Sequence, residues 1–364
     1  MGVGRKLLML CILLIVGVAT LECITSGVLF RFYAHKGSDF YPYGTSTGFL
    51  IRKVLGNIFH IHPPVSVSSD NSDLFRSDPV LGYTFNPGVY HIVEKSQNGP
   101  HAFKVTIQND GSRATSAHKN VGSPRIYLMG NSLIWGYGID DEMTIGWMLQ
   151  SRIPEFQVVN LAVTGYTNVQ SLLQFRAIEN QLTQNDIVVF SYYGAFEAHY
   201  DVGDTNDGFG HDFERALNKI SDFDKLRLPF GYLSRTGDLG IRYLPIDCAK
   251  HLAACSPGAD MIADGPGVTA AIFQEILRQH HCHIVVASFS GLDESDRIIT
   301  LLRASGATVA DLKYPKSALD ANDYIPSHDH VGAFATHALF EDLLQTLLVS
   351  GLVPNNETSP RTPE

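Results

Sequence analysis

The feature that most constrains the fold is a regular alternation of short apolar runs with longer amphipathic segments, which begins at residue 125. The predicted strands are 125–129, 158–163, 186–193, 283–289 and 307–312. The predicted helices are 143–152, 167–182, 268–280, 294–304 and 332–349. Strands that alternate with helices of this length predict a parallel sheet with helices on both faces. Right-handed crossovers then give a flavodoxin-like three-layer α/β/α sandwich with a mainly parallel five-stranded sheet.

The rest of the chain predicts a domain with additions. We expect the α/β domain to cover residues 78–349, with two early strands within 78–88 and 101–113. Residues 202–267 break the alternation and are rich in Gly, Asp and Pro, so they are predicted to be an insertion near the rim of the active site. Residues 32–77 are predicted to be a linker or stalk, and residues 350–364 a disordered tail.

The amino terminus has the pattern of a targeting or anchoring segment over residues 1–31. Arg5 and Lys6 precede an apolar run that is interrupted at Glu22 and ends before Arg31. A cleaved signal peptide and an uncleaved membrane anchor both fit this pattern. No small-x-small cleavage pattern follows Ala19, which favours the anchor, with the basic residues in the cytoplasm. Either interpretation places the body of the protein outside the cytoplasm.

Composition and charge exclude several classes of function. The 45% hydrophobic and 18% charged residues indicate a globular body, and the net charge of −10 argues against nucleic-acid binding. The cluster HHCH at 280–283 leads directly into a predicted strand, where neighbouring side chains point to opposite faces, so no metal site is predicted there. The glycine-rich loop after residue 130 lacks the lysine of a phosphate-binding loop, and no cofactor is predicted. Cys248 and Cys255 could close a short disulfide in an oxidising compartment.

A serine stands where an open α/β sheet places its ligand. Residues 125–144 read RIYLMGNSLIWGYGIDDEMT, so the predicted strand 125–129 stops at Gly130, Asn131 and Ser132. The carboxyl ends of parallel strands form the ligand crevice of such sheets. Gly136 and Gly138 keep the following loop slim, which lets a substrate approach the backbone. Ser132 is therefore a candidate nucleophile.

This stretch resembles the first block of the SGNH (GDSL) hydrolase superfamily, with Asn131 in place of the usual Asp. The segment NLAVTGYT at 160–167 resembles the second block, whose glycine corresponds to Gly165. The segment IPSHDHVGAFATHALFEDLL at 325–344 resembles the last block, in which an Asp shortly precedes a His that opens the final helix. His330 directly precedes the last predicted helix and is the matching histidine.

The resemblance implies a role for each matched residue. Ser132 would be the nucleophile and His330 the base, and the N–H groups of Ser132 and Gly165 would form an oxyanion hole. Asp329 is the nearest acid, although the family's Asp usually lies two or three residues before the His. Asp323, or a Ser-His dyad supported by a backbone carbonyl, is the alternative.

The family's third oxyanion donor is an Asn in a G-x-N-D block, which has no match here. The corresponding stretch at 191–201 reads SYYGAFEAHYD and contains no Asn. Asn206 lies too far beyond the predicted strand to be matched with the family's Asn. Glu197 cannot donate a hydrogen bond when it is ionised, whereas His199 could. The third donor is therefore absent, unfamiliar, or supplied by the insertion.

These inferences predict a membrane-anchored, extracytoplasmic serine ester hydrolase that forms an acyl-enzyme on Ser132. The resemblance implies small acyl esters as substrates, acetyl-like and carbohydrate-borne among them. Two alternatives stay open. One is an acyltransferase of an envelope polysaccharide, which would use the same machinery with a sugar as the second acceptor. The other is a binding or scaffold protein that keeps the fold without the chemistry.

Overall fold

The structure is a computed structural model that describes residues 66–69, 74–96, 99–117, 124–203, 220, 225–245, 261–278, 281–289, 296–313, 330 and 332–355. Nearly all of them belong to one compact unit formed by residues 67–94, 101–325 and 330–364. The predicted anchor at 1–31, the two cysteines of the predicted disulfide, and both candidate triad acids lie outside the described residues. None of the helices within the described ranges is long and apolar enough to cross a membrane.

The described strands are, in chain order, β1 (Ser66–Ser69), β2 (Phe75–Asp78), β3 (Gly82–Phe85), β4 (Gly88–Ser96), β5 (Gly99–Ile107), β6 (Arg125–Met129), β7 (Gln157–Asn160), β8 (Ile187–Tyr192), β9 (Arg227–Ser234), β10 (Leu239–Pro245), β11 (Met261–Ile262), β12 (His283–Ser288) and β13 (Thr308–Asp311). The described helices are α1 (Ser132–Trp135), α2 (Ile145–Arg152), α3 (Asn168–Ile178), α4 (Ala195–Asp201), α5 (Gly265–Arg278), α6 (Arg297–Ala304) and α7 (Ala333–Val349). Short 3-10 turns occupy Asp141–Met143 and Glu179–Gln181.

The centre of the fold is a five-stranded sheet with the order β13-β12-β8-β6-β7, in which every pair is parallel. Numbered by their order along the chain, these strands read 2-1-3-4-5 from one edge, which is the flavodoxin-like order. The central strand β8 is buried along its whole length. A strand buried on both faces reads as a continuous apolar run, which is why the sequence pattern located these strands. The predicted fold class is confirmed.

Helices cover both faces of this sheet. On one face, Leu149 of α2 and Leu343 of α7 pack in a core that includes Leu128 and Val285. On the other face, helices α3, α5 and α6 pack against the alternate strand positions, among them Val188. Because successive strand residues point to opposite faces, each strand supplies both cores. The predicted α/β/α sandwich follows from this arrangement.

The boundaries of some elements differ from the sequence-based ones for local reasons. The predicted helix 294–304 begins only at Arg297, because the Asp296 carboxylate accepts the N–H of Ile298 and caps the helix there. The predicted early strand 78–88 begins with a turn, in which the Asp78 carboxylate accepts the N–H groups of Val80 and Leu81, and β3 follows at Gly82. Such Asx turns compete with strand formation.

Smaller sheets accompany the parallel sheet in the described part of the chain. β2 and β3 form a two-stranded sheet, and β1, β4 and β5 form a three-stranded one. The described part of the predicted insertion contains a third small sheet, with the order β10-β9-β11. Leu228 and Phe230 of β9 are buried in the same core as α2 and α7. The α5 helix already begins at Gly265, within the range that the sequence assigned to the insertion.

A buried arginine joins β5 to the loop that follows α1. Arg113 is 1% exposed, and its Nε donates to Asp141 Oδ1 at 2.9 Å. Its other donors reach the main-chain carbonyl oxygens of four residues, at distances of 2.5–3.4 Å, namely Lys104, Trp135, Gly136 and Ile139. The guanidinium also lies 4.7 Å from the centre of the Trp135 ring. Burial lowers the pKa of Arg113, and Asp141 opposes that shift.

We expect Arg113→Met to lower the free energy of unfolding by about 3–5 kcal/mol, because it leaves the Asp141 carboxylate buried without its charge partner. Methionine keeps much of the apolar volume, so the loss reports the polar contacts rather than a cavity. Urea denaturation followed by fluorescence measures the change. Arg76 is exposed on β2, and Arg76→Met is the matched control, with an expected change within about 0.5 kcal/mol. Equal effects of the two substitutions would contradict this account.

Candidate active site

The candidate nucleophile stands on a tight turn at the carboxyl end of β6. Gly130 has a φ of +139°, and a Cβ on this residue would lie 1.8 Å from Ser191 Oγ, so only glycine fits. Asn131 caps α1, with its Oδ1 accepting the N–H of Leu133 at 3.0 Å. Ser132 is the first residue of α1, which spans one turn before Gly136 ends it in a left-handed conformation.

This turn lies at the topological switch point of the sheet. The chain leaves β6 towards β7 on one side and later returns to β8 on the other side. Connections that leave in opposite directions open a crevice between the two strands at their carboxyl ends. Ser132 therefore occupies the position where open α/β sheets bind their ligands.

His330 meets the candidate nucleophile across 198 residues of sequence. Its Nε2 lies 2.7 Å from Ser132 Oγ, and both side chains are partly buried. This distance is that of a hydrogen bond between a hydroxyl nucleophile and its base. The structure thus brings Ser132 and His330 together. Asp329 and Asp323 lie outside the described residues, so the identity of the orienting acid stays a prediction.

An aromatic ring lies beside the imidazole. The Tyr137 ring centre is 4.8 Å from that of His330, with an angle of 43° between the planes. Tyr137 in turn packs edge-on against Phe103 of β5, at 5.6 Å. The glycine-rich loop after α1 therefore supplies one wall of the site, and β5 supports that wall from behind.

The loop that contains Gly165 runs directly beside the nucleophile turn. The N–H of Val163 donates to the carbonyl oxygen of Gly130 at 3.0 Å, and Gly165 has a φ of +78°. Two tyrosines, one in β3 and one in the loop, hold this loop against β3. The Tyr83 hydroxyl donates to the Thr164 carbonyl at 2.9 Å, and the Tyr166 hydroxyl donates to the Tyr83 carbonyl at 2.6 Å.

A buried carboxyl group lies behind the nucleophile turn. Glu197 of α4 is 5% exposed and accepts hydrogen bonds from Asn131 Nδ2 and from the N–H of Tyr193. Burial raises the pKa of Glu197 to about 8, and nearby Asp201 adds to the shift while the hydrogen bonds from Tyr193 and Asn131 oppose it. His199, which the sequence offered as a donor, is exposed on the same helix, and Asn206 lies outside the described residues.

A second buried carboxyl group joins three helices next to Glu197. Asp201 accepts the main-chain N–H of Asn168 at 2.8 Å, its Nδ2 at 2.9 Å and the Thr269 hydroxyl at 2.6 Å. Burial raises the pKa of Asp201 to about 6, and these hydrogen bonds oppose the shift. Asp201 therefore ties the start of α3 to α4 and α5, and it supports the helix that carries Glu197.

No group of three or more metal-binding side chains occurs within the described ranges. In the segment HHCH, the described members do not converge on one point. His283 is the exposed first residue of β12, whereas Cys282 is partly buried. Burial raises the pKa of the Cys282 thiol to about 12, which disfavours the thiolate that would bind a metal.

We expect the free energy of unfolding to fall between about pH 4.5 and 8, because the folded state holds the Glu197 proton that the unfolded state has released. The contribution is complete below the unfolded pKa and is lost as the pH rises through the folded pKa. One such proton changes stability by at most about 1.4 kcal/mol per pH unit. Glu197→Gln should remove this part of the slope in urea denaturation at several pH values. Asp201→Asn, the control, should alter the slope mainly below about pH 6. An unchanged slope in Glu197→Gln would contradict the raised pKa.

No protein-family model and no curated protein matches the chain. Among solved structures, it is similar to the esterase EstA from Pseudoalteromonas sp., at 12% identity over 62% of this chain and 97% of the esterase, with a TM-score of 0.34. It is similar to a catalytic mutant of Axe2, an acetylxylan esterase from Geobacillus stearothermophilus, at 10% identity over 63% and 96% of the two chains, with a TM-score of 0.32. A protein of Parabacteroides merdae described as a GDSL-like lipase is 9% identical over 64% and 99%, with a TM-score of 0.34. In its sequence blocks, its strand order and its Ser132–His330 contact, the chain resembles the SGNH (GDSL) hydrolase superfamily.

Proposed function

We propose that this protein is an SGNH-type serine ester hydrolase that acts on short acyl esters. The observation that carries the proposal is the 2.7 Å contact between Ser132 Oγ and His330 Nε2 at the switch point of the sheet. A serine hydroxyl becomes an effective nucleophile only when a base accepts its proton. The two residues come from opposite ends of the domain, and their contact supports an enzyme rather than a binding protein of the same fold.

The proposed reaction has two halves that use the same base. Ser132 Oγ attacks the ester carbonyl carbon while His330 Nε2 accepts the hydroxyl proton, and the tetrahedral oxyanion is bound by the N–H groups of Ser132 and Gly165. Collapse of this intermediate expels the alcohol, which receives its proton from His330, and leaves the acyl group on Ser132. Water then attacks the acyl-enzyme while His330 accepts its proton. A second collapse breaks the bond to Ser132 Oγ, which receives that proton from His330, and releases the acid.

Two parts of the mechanism extend the proposal beyond the described residues. Asp329 is proposed to orient the imidazole, with Asp323 or a main-chain carbonyl as the alternative acceptor. The substrate is proposed to carry an acetyl-like group, on a carbohydrate in the favoured case, as the sequence resemblance implies. A sugar hydroxyl could replace water in the second half, since acyl transfer and hydrolysis share the first half.

We expect Ser132→Ala and His330→Ala each to lower kcat for p-nitrophenyl acetate by about 10⁴–10⁶, because the nucleophile and its base act as one unit. Circular dichroism should show an unchanged fold. Ser151 and His337 are exposed on α2 and α7, and their alanine variants are the matched controls, with wild-type rates expected. A fluorophosphonate should label the wild-type protein and should not label Ser132→Ala.

Two results would contradict the proposal. The first is wild-type turnover by Ser132→Ala, which would exclude Ser132 as the nucleophile. The second is a wild-type protein that is inert towards acetyl and longer esters and that fluorophosphonates do not label. That second result would favour the binding or scaffold protein. Acyl transfer to an added oligosaccharide, measured by mass spectrometry, would separate the acyltransferase from the hydrolase.

We further propose that the protein is anchored in a membrane by residues 1–31 and that its body is extracytoplasmic. The support is the sequence pattern, in which Arg5 and Lys6 precede a single apolar run. A reporter active only outside the cytoplasm and fused after Leu352 should be active, and the fusion should sediment with membranes. The same fusion without residues 1–31 is the control and should be inactive. Activity of a cytoplasmic reporter at that position would overturn this topology.

A further inference from the structure

We propose that Glu197 is a positioning residue, which fixes the amide orientation of Asn131 and thereby holds the turn that presents Ser132. The inference rests on the proposed function, because its catalytic readout requires turnover by Ser132. It concerns the contact between Glu197 and Asn131, the residue that directly precedes the nucleophile.

The Asn131 amide is oriented with its oxygen towards α1 and its nitrogen towards Glu197. Oδ1 accepts the N–H of Leu133 at 3.0 Å, which is the capping bond of α1. With Oδ1 engaged, Nδ2 is the end that faces Glu197, and it donates to Oε1 of that carboxyl group. A flipped amide would lose the cap and would place an oxygen against the Glu197 oxygen. The Asn131 N–H also donates to Ser191 Oγ at 3.2 Å, which holds the main chain of the same turn.

The second oxygen of the Glu197 carboxyl group is held by the main chain. Oε2 accepts the main-chain N–H of Tyr193 at 3.0 Å, so the carboxyl plane is held at both ends. Each oxygen of the Glu197 carboxyl group therefore accepts a hydrogen bond, one from a side-chain amide and one from the main chain. Its neighbours are Asp201 on the same helix, Asn168 at the start of α3, and Tyr192 on β8. Within the described ranges, no arginine or lysine forms an ion pair with Glu197.

Single substitutions at either position break the pair in opposite ways. Glutamine at position 197 has one oxygen, which the Tyr193 N–H requires, so its amide nitrogen faces the Asn131 nitrogen and two donors oppose each other. Aspartate at position 131 instead places two carboxyl groups in contact. Such a pair can share a proton at low pH and repels when both groups are ionised. Glu197→Gln leaves two buried donors facing each other at any pH, whereas Asn131→Asp leaves two buried acceptors without a donor once both carboxyl groups are ionised.

The double substitution restores the hydrogen bond with donor and acceptor exchanged. In Asn131→Asp with Glu197→Gln, the aspartate still caps α1 through one oxygen and accepts from the glutamine amide through the other. The glutamine oxygen still accepts the Tyr193 N–H. The side-chain volumes are almost unchanged, so the cycle isolates the direction of one hydrogen bond. This makes the pair testable without a change in packing.

The test is a double-mutant cycle on the full-length protein, with wild type, Asn131→Asp, Glu197→Gln and the double variant. We expect each single variant to lower kcat for p-nitrophenyl acetate by roughly ten- to a hundredfold with little change in KM, since a small displacement of the nucleophile costs about that much. The double variant should return to within about threefold of wild type. The rate of Asn131→Asp relative to wild type should fall further as the pH rises, and that of the double variant should not.

Urea denaturation of the same four proteins gives a readout that does not depend on turnover. Coupling between the two sites in both stability and kcat supports the proposal. Additive effects in both, without recovery in the double variant, overturn the pairing. Coupling in stability with unchanged kcat in the single variants overturns the positioning role and leaves a structural contact. A wild-type protein that is inert on all esters, with coupling in stability alone, overturns the proposed function and the positioning role together.

Discussion

The structure around the site depends on one buried cation. The guanidinium of Arg113 carries its charge into the protein interior, where an unpaired ion is very costly, so every donor must find an acceptor. One donor meets the Asp141 carboxylate, and the others meet main-chain carbonyl oxygens at the end of α1, in the loop that follows it and in β5. The Arg113 N–H also donates to the carbonyl of Asn160, at the end of β7. The loop after the nucleophile is therefore held at several points along its main chain, in addition to the left-handed turns at Gly136 and Gly138.

A second buried polar group, Glu197, lies behind the nucleophile and holds its surroundings through the hydrogen bonds that it accepts, not through an ion pair. Its carboxyl group holds the amide of Asn131 on one side and the main chain at Tyr193 on the other. Position 131 carries an amide where the SGNH pattern has an acid, and the acid of this pair lies on α4 instead. The substitution at Asn131 in the first block thus has a structural counterpart at Glu197, in the stretch 191–201. An amide facing an acid keeps a hydrogen bond at this point without bringing two ionised carboxylates together.

Much of the fold could be predicted from the sequence, because strands that are buried on both faces are continuous apolar runs with little ambiguity. Ser132 could be predicted because its strand ends abruptly in a turn, and His330 because it directly precedes a long amphipathic helix. The contact between Asn131 and Glu197 could not, since it joins residues 66 positions apart through side-chain atoms that leave no periodic signal. The small sheet of β9, β10 and β11 was also missed, because its strands lie within a stretch whose turn-forming residues dominate the pattern.

The bracing of the Gly165 loop by β3 has a consequence for dissecting the protein. The Tyr83 hydroxyl donates to the Thr164 carbonyl, the Tyr166 hydroxyl donates to the Tyr83 carbonyl, and the two rings pack edge-to-face at 5.2 Å. Tyr83 belongs to a hairpin that precedes the first parallel strand by about 40 residues, outside the repeating β/α units. A shortened protein that begins at β6 would retain all five parallel strands and the Ser132–His330 pair, but the loop beside the nucleophile would lose its outer support. The smallest autonomous unit with a complete site therefore has to start before β2, which makes the amino-terminal hairpin an integral part of the domain.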